Sequence, residues 1–220
     1  MVDRLHYISQ ENEKTDHITG ILSALNAGVK WIQLRVKNKP QDEVLALAEA
    51  ANRHCKKFAA HLIINDFPDV ARAVSAYGLH LGLNDMSITN ARLIVGKEIK
   101  IGGTANTFSE VQKRLQAGAD YIGLGPFRFT TTKQQLSPIL GISGYTKVMN
   151  QVRSAGITTP IIAIGGIEIS DLPALLKTGI YGVAVSGTLT HSKDPEETVR
   201  LMYQQLEKAA FIFPKTTTLC

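Results

Sequence analysis

The chain is poor in the residues that staple, anchor or charge a protein. Of 220 residues only two are cysteine, Cys55 inside a helical pattern and Cys220 at the last position. Their spacing matches neither a disulfide framework nor a metal site, so a reducing, cytoplasmic setting is expected. No stretch approaches the roughly 18 to 20 uninterrupted apolar residues of a membrane helix. The opening Met1-Val2-Asp3-Arg4-Leu5-His6 has no secretory apolar region, and no membrane partner is expected. Charge of one sign is scarce too: 24 Lys and Arg against 19 Asp and Glu leave +5. The basic residues are scattered, with no run longer than a pair such as Lys56-Lys57. That argues against nucleic acid and leaves room for a site that takes small phosphorylated anions. What is present is a globular composition, 44% hydrophobic and 20% charged, long enough to bury a core without staples.

Apolar residues alternate between short β-rich runs and longer stretches at helical spacing. The runs at 5–9, 31–35, 61–65, 79–81, 99–103, 121–124, 161–164 and 182–186 are the strand candidates. Between them, Ile18, Ile21, Leu22 and Leu25 mark one helix face, as do Val199, Met202, Tyr203 and Leu206. Val44, Leu47, Ala48, Ala51, Cys55 and Phe58 mark another, opened by Pro40 and the acidic pair Asp42-Glu43. A short motif repeats at 27–34, 117–124 and 178–185: a helix end, a glycine (Gly28, Gly118, Gly179) suited to a left-handed cap, then a buried strand. Strands low in charge that alternate with helices call for a parallel sheet covered by helices. Eight such units in 220 residues predict a compact α/β fold, a (β/α)8 TIM barrel, over an open doubly wound sheet. A single barrel domain over 1–213 is expected, with 214–220 a frayed tail.

In such a barrel the C-terminal strand ends and the loops after them build the active site. Read in order, they supply Gln33, Arg35 and Lys37; Asn65 and Asp66; Asn84 and Asp85; Thr104 to Thr107; Gly125-Pro126 and Thr130-Thr131-Thr132-Lys133; Gly165-Gly166; and Ser186-Gly187. Arg35, Lys37 and Lys133 are fixed cations suited to phosphate or diphosphate. Asp66 and Asp85 are hard oxygen donors suited to Mg2+, although each precedes a helix and helix capping is the competing use. The two glycine pairs fit a backbone phosphate cup, and the threonine segment fits a flap over a ligand. The histidines show no metal-ligand spacing and no evident nucleophile partner; His80 reads as a polar residue of the barrel interior.

These motifs, in order over nearly the whole chain, resemble the thiamine phosphate synthase family. The resemblance implies Mg2+-assisted condensation of 4-amino-2-methyl-5-pyrimidinylmethyl diphosphate with a thiazole ethyl phosphate, or its carboxylated tautomer, giving thiamine phosphate and diphosphate. It further implies pyrimidine diphosphate contacts from Gln33, Arg35, Lys37, Asn65, Thr104 and Lys133, with Arg35, Lys37, Thr104 and Lys133 serving the chemistry. Asp66 and Asp85 would hold the metal, and Thr130, Thr131, Thr132, Gly166, Ser186 and Gly187 the thiazole phosphate. The C–O bond would break first, leaving a pyrimidine-stabilised cation that the thiazole nitrogen captures. Three departures stand out: Asn106 replaces a usual histidine in the stretch Thr104-Ala105-Asn106-Thr107, Leu83 a usual glutamine, and Phe129 a usual proline. The alternatives are a thiazole tautomerase, which relies on that histidine, and a catalytically silent phosphate-binding barrel with a regulatory role. A homo-oligomeric state is left open.

Overall fold

The computed structural model describes residues 1–13, 15–130 and 137–210. Strands β1 (Leu5–Ile8), β2 (Trp31–Leu34), β3 (His61–Asn65), β4 (Gly78–Leu81), β5 (Lys100–Ala105), β6 (Tyr121–Leu124), β7 (Ile161–Ile164) and β8 (Gly182–Val185) pair in sequence order and close into a barrel. Every pairing is parallel, including the closure of β1 on β8. The closed barrel, not the open sheet, is therefore the fold. Strands β3, β6 and β7 have the bounds expected from sequence; the others shift by one or two residues, most at β5, which runs on to Ala105.

Helices α1 (His17–Asn26), α2 (Gln41–Lys57), α3 (Pro68–Ala73), α4 (Ile88–Val95), α5 (Phe108–Gln116), α6 (Gly141–Ser154), α7 (Leu172–Lys177), α8 (Gly187–Thr190) and α9 (Pro195–Ala210) surround the strands. Their local causes are ordinary. Pro40 sits extended at the start of α2 with Asp42 and Glu43 in the first turn, where the helix dipole favours them. Val44, Ala48, Ala51 and Cys55 form its buried stripe. Helix α5 opens with a capping box in which Thr107 and Glu110 satisfy each other's backbone N–H. The three repeated glycines do what the repeat implies: Gly28, Gly118 and Gly179 take φ of 99°, 93° and 93° at the turn from helix to strand.

Side-chain parity divides the core in two. Odd and even positions of a strand face opposite sides of the sheet. In β2, Ile32 and Leu34 join the large cluster between sheet and helices, whereas Trp31 belongs with Ile63, Tyr121, Ile162 and Ala184 to the barrel interior. His6 stacks on Trp31 at 4.6 Å between ring centroids, and Tyr121 meets both edge-on at 5.6 Å. Gly102 makes room for this plug, because a Cβ there would lie 2.1 Å from the Tyr121 ring. These rings floor the space above them. Among the described residues no helix is long and apolar enough to cross a membrane.

Candidate active site

Inward-facing strand residues and the loops after the strands line one cavity of about 1020 Å³ at the C-terminal mouth of the barrel. From β2 come Gln33, Arg35 and Lys37, every second residue of one stretch. From β3 come Asn65 and Asp66, from β4 His80, Gly82 and Asp85, and from β5 Thr104. The loop after β6 brings Gly125, Pro126, Arg128, Phe129 and Thr130, the turn after β7 brings Gly165 and Gly166, and the end of β8 brings Ser186 and Gly187. The site residues expected from sequence thus meet in one place wherever the structure describes them. Thr131, Thr132 and Lys133 lie outside the described residues, as does the tail 214–220.

Asp66 and Asp85 have carboxyl groups in mutual hydrogen-bonding reach. Neither caps a helix: α3 and α4 have Phe67 and Ser87 at their N-caps, and the Ser87 hydroxyl fills that role in α4. Asp85 instead accepts from the Gly82 N–H at 2.6 Å, and Asp66, at φ 67°, accepts from the Lys37 ammonium. Burial, helped by the facing Asp85, pushes Asp66 up to about 6, against the pull of Lys37. Burial opposes ionisation of Asp85 as well, yet the hydrogen bonds from Asp66 and Gly82 and the field of Lys37 hold it below its ordinary value. Arg35 is lowered by burial, with both aspartates working against that shift.

Two hard carboxylates side by side beside a cation suit Mg2+, which takes one or two carboxylates and completes its shell with water and substrate phosphate. Among the described residues no group of three or more His, Cys, Asp or Glu converges.

Deeper in the cavity, His80 links two elements. Its Nε2 is 3.1 Å from the Thr104 hydroxyl and its Nδ1 is 3.1 Å from the Tyr121 hydroxyl. His80 is thus the interior polar residue expected, and it fixes the Thr104 side chain. The Ser186 hydroxyl is buried with no hydrogen-bond partner among the described residues. It lies at the wall where Gly165 and Gly166 take φ of 93° and 67°, a pair of turns whose N–H groups can approach an anion closely.

Asn106, the departure that removes an imidazole, does not line the cavity. It is 6% exposed, and its amide donates to the Gly125 carbonyl at 2.9 Å and the Pro138 carbonyl at 2.8 Å. Leu83 and Phe129, the other two departures, both line the cavity. His6, Tyr121, Arg128, Glu168 and His191, to which the sequence assigns no role, also line it. Strand parity signals the first two; the others sit in loops whose course no local pattern specifies.

A closed (β/α)8 barrel with an acidic pair, fixed cations and a glycine cup around one cavity defines an enzyme that handles small phosphorylated substrates. Residues 5–189 match the family model described as thiamine monophosphate synthase. The thiamine-phosphate synthase of Flavobacterium johnsoniae is 46% identical over 211 residues, covering 96% of this chain and 98% of that one. That of Bacteroides thetaiotaomicron is 45% identical over 196 residues, covering 89% and 94%. The solved thiamine phosphate pyrophosphorylase of Pyrococcus furiosus superposes with a TM-score of 0.81 at 27% identity, over 94% of this chain and 96% of that one. The chain belongs to the thiamine monophosphate synthase family, and the expectation of a transferase in thiamine biosynthesis holds.

Proposed function

We propose that this protein joins the pyrimidinylmethyl diphosphate to the thiazole ethyl phosphate, or its carboxylated tautomer, releasing diphosphate and forming thiamine phosphate. One observation carries the reading. The cation and carboxylate residues come from β2, β3 and β4, the glycine and serine residues from β7 and β8, and a closed barrel of eight strands sets these arcs opposite each other across one cavity. At about 1020 Å³ the cavity stands at the upper end of the about 300 to 1,000 Å³ usual for ligand pockets, in keeping with two small substrates brought together.

In this reading Arg35 and Lys37 take the diphosphate, with Lys133 added from the loop after β6. Gln33, Asn65 and Thr104 orient the pyrimidine; the Thr104 hydroxyl is held for this by His80. Asp66 and Asp85 would hold Mg2+, which when bound supplies charge neutralisation for the departing diphosphate. Gly166, Ser186 and Gly187, with Thr130, Thr131 and Thr132, take the thiazole phosphate. The C–O bond breaks with its electron pair leaving on the diphosphate, and the thiazole nitrogen lone pair then forms the C–N bond. No protein nucleophile is needed. The chain's part is to stabilise the leaving charge with preorganised cations, to align the two reacting atoms and to keep water from the cation.

The catalytic unit is the barrel, 1–213, acting in the cytoplasm; the buried free thiol of Cys55 supports a reducing setting. Asn106, outside the cavity lining and engaged with two carbonyls, gives no support to a tautomerase that relies on a histidine there. The test is incubation with both substrates and Mg2+, following thiamine phosphate by mass. Isomerisation of the thiazole without coupling would select the tautomerase, and binding without turnover the silent barrel.

A further inference from the structure

Arg128 stands in the loop after β6 yet is tied at three points to the turn after β7. Its backbone N–H donates to the Gly165 carbonyl at 3.1 Å, one residue beyond the bond from the Phe127 N–H to the Ile164 carbonyl at 2.9 Å. These two bonds zip the loops together past the ends of their strands. Its guanidinium then reaches to the far side of the turn, where it pairs with Asp171 at 2.6 Å and Glu168 at 3.2 Å. Between these attachments its side chain packs on Gly166, where a Cβ would fall 2.5 Å from Arg128 Cγ. The guanidinium also lies over the Phe127 ring, 5.0 Å from its centroid. Asp171 is itself part of the turn, accepting from the Glu168 N–H at 2.8 Å.

One residue therefore brackets Gly165 and Gly166 from both ends. Two acidic groups answer its charge, and one of them, Asp171, is largely buried, with a side chain 12% exposed. A guanidinium anchored to two acidic groups, with Nη2 donating to Asp171, is held toward the turn and not set as a free fork for phosphate.

We propose that Arg128 is a positioning residue for the thiazole phosphate cup: through Asp171 and Glu168 it sets where the Gly165–Gly166 backbone donors stand. This rests on the assignment of that cup to the thiazole phosphate. Hydrogen bonds to a fixed anion lose strength steeply with misplacement, so loosening the bracket weakens phosphate binding without touching the opposite wall.

The experiment titrates wild type, Arg128→Met, Arg128→Lys and Asp171→Asn with thiazole ethyl phosphate by calorimetry, and measures KM and kcat for both substrates. Arg128→Met keeps the stem against Gly166 and removes the fork; Asp171→Asn keeps the cation and one acceptor oxygen and removes the charge of its main anchor. Both are expected to weaken thiazole phosphate binding about tenfold, as the Gly165–Gly166 backbone donors move off their line to the phosphate, with the KM for the pyrimidine diphosphate unmoved. Arg128→Lys should recover part of the loss. If Arg128 were instead a direct phosphate ligand, Asp171→Asn would free it and tighten binding, which overturns the proposal. Unchanged affinity in both variants overturns it as well. Should Arg128→Met fail to fold, Asp171→Asn decides alone. Coupling by the wild type is read separately, so failure of the synthase reading shows in turnover and failure of this inference in the variants' affinity ratios.

Discussion

Asn106 donates both hydrogens of its amide to backbone carbonyls on either side of the loop after β6, at Gly125 and Pro138. Aspartate at this position has the same shape but no donor, and it would set a negative oxygen against two carbonyls. Two carbonyls left unsatisfied cost about 1 to 3 kcal/mol each. Asn106→Asp is therefore expected to lower the thermal midpoint and to cut turnover at least about tenfold, because the loop carries Thr130 to the cavity. Asn106→His retains one donor and should fall between. Wild-type turnover in Asn106→Asp would show that the clamp is dispensable. A second residue-scale prediction concerns His6, which burial beside Trp31 and Tyr121 lowers to about 3. The unfolded chain protonates this imidazole near 6.5, so between those values the unfolded state binds the extra proton. Its stabilising share is complete above about pH 6.5 and is lost as pH falls toward 3, at up to about 1.4 kcal/mol per pH unit. Urea unfolding from pH 7 to 4 should give a shallower pH slope for His6→Gln than for wild type. Some slope remains, since burial also lowers His17 and His61. An identical slope would remove His6 from the account.

At the scale of elements, two glycines that look alike in the sequence do different work. Gly118 follows α5 at φ 93° with no atom within 4 Å of where a Cβ would stand, whereas Gly102 in β5 has the Tyr121 ring 2.1 Å from that position. Gly118→Ala pays only for backbone conformation, about 1 kcal/mol, and should leave both KM values alone. Gly102→Ala must displace a ring that floors the cavity, and both stability and pyrimidine binding should suffer. Melting curves and substrate titrations on the two variants check the contrast; equal effects would refute it. The contrast also marks what is legible in the sequence. The repeated glycine caps, the strand runs and the Gln33-Arg35-Lys37 alternation are local patterns, and local patterns survive into the fold. Asp66 and Asp85 are ambiguous there between capping and metal binding, because only the course of the loops decides which way a carboxylate turns. Arg128 is invisible as a tie between loops, since its partners at 168 and 171 are about 40 residues away and no spacing rule connects them.

For the whole molecule, the barrel turns a mild charge excess into two separated duties. Asp85 follows β4 and Gly166 follows β7, three strands apart in a ring of eight. Asp85→Ala removes one of the two carboxylates proposed for Mg2+ and is expected to weaken binding of the pyrimidine diphosphate in the presence of Mg2+ by about tenfold or more, roughly 1.4 kcal/mol. Gly166→Ala must place a Cβ against Arg128 Cγ at a φ of 67°, and should weaken the thiazole phosphate instead. Sites that share no partners add within about 0.3 to 0.5 kcal/mol. The double variant should therefore show each single variant's loss for its own substrate and nothing further. Direct titration of each substrate alone into the four proteins measures this without turnover, and avoids the non-additivity of groups that act on one transition state. A cross effect, in which Asp85→Ala weakens the thiazole phosphate or Gly166→Ala the pyrimidine diphosphate, would mean that the arcs form one shared anion site. The two-substrate arrangement would then lose its structural basis.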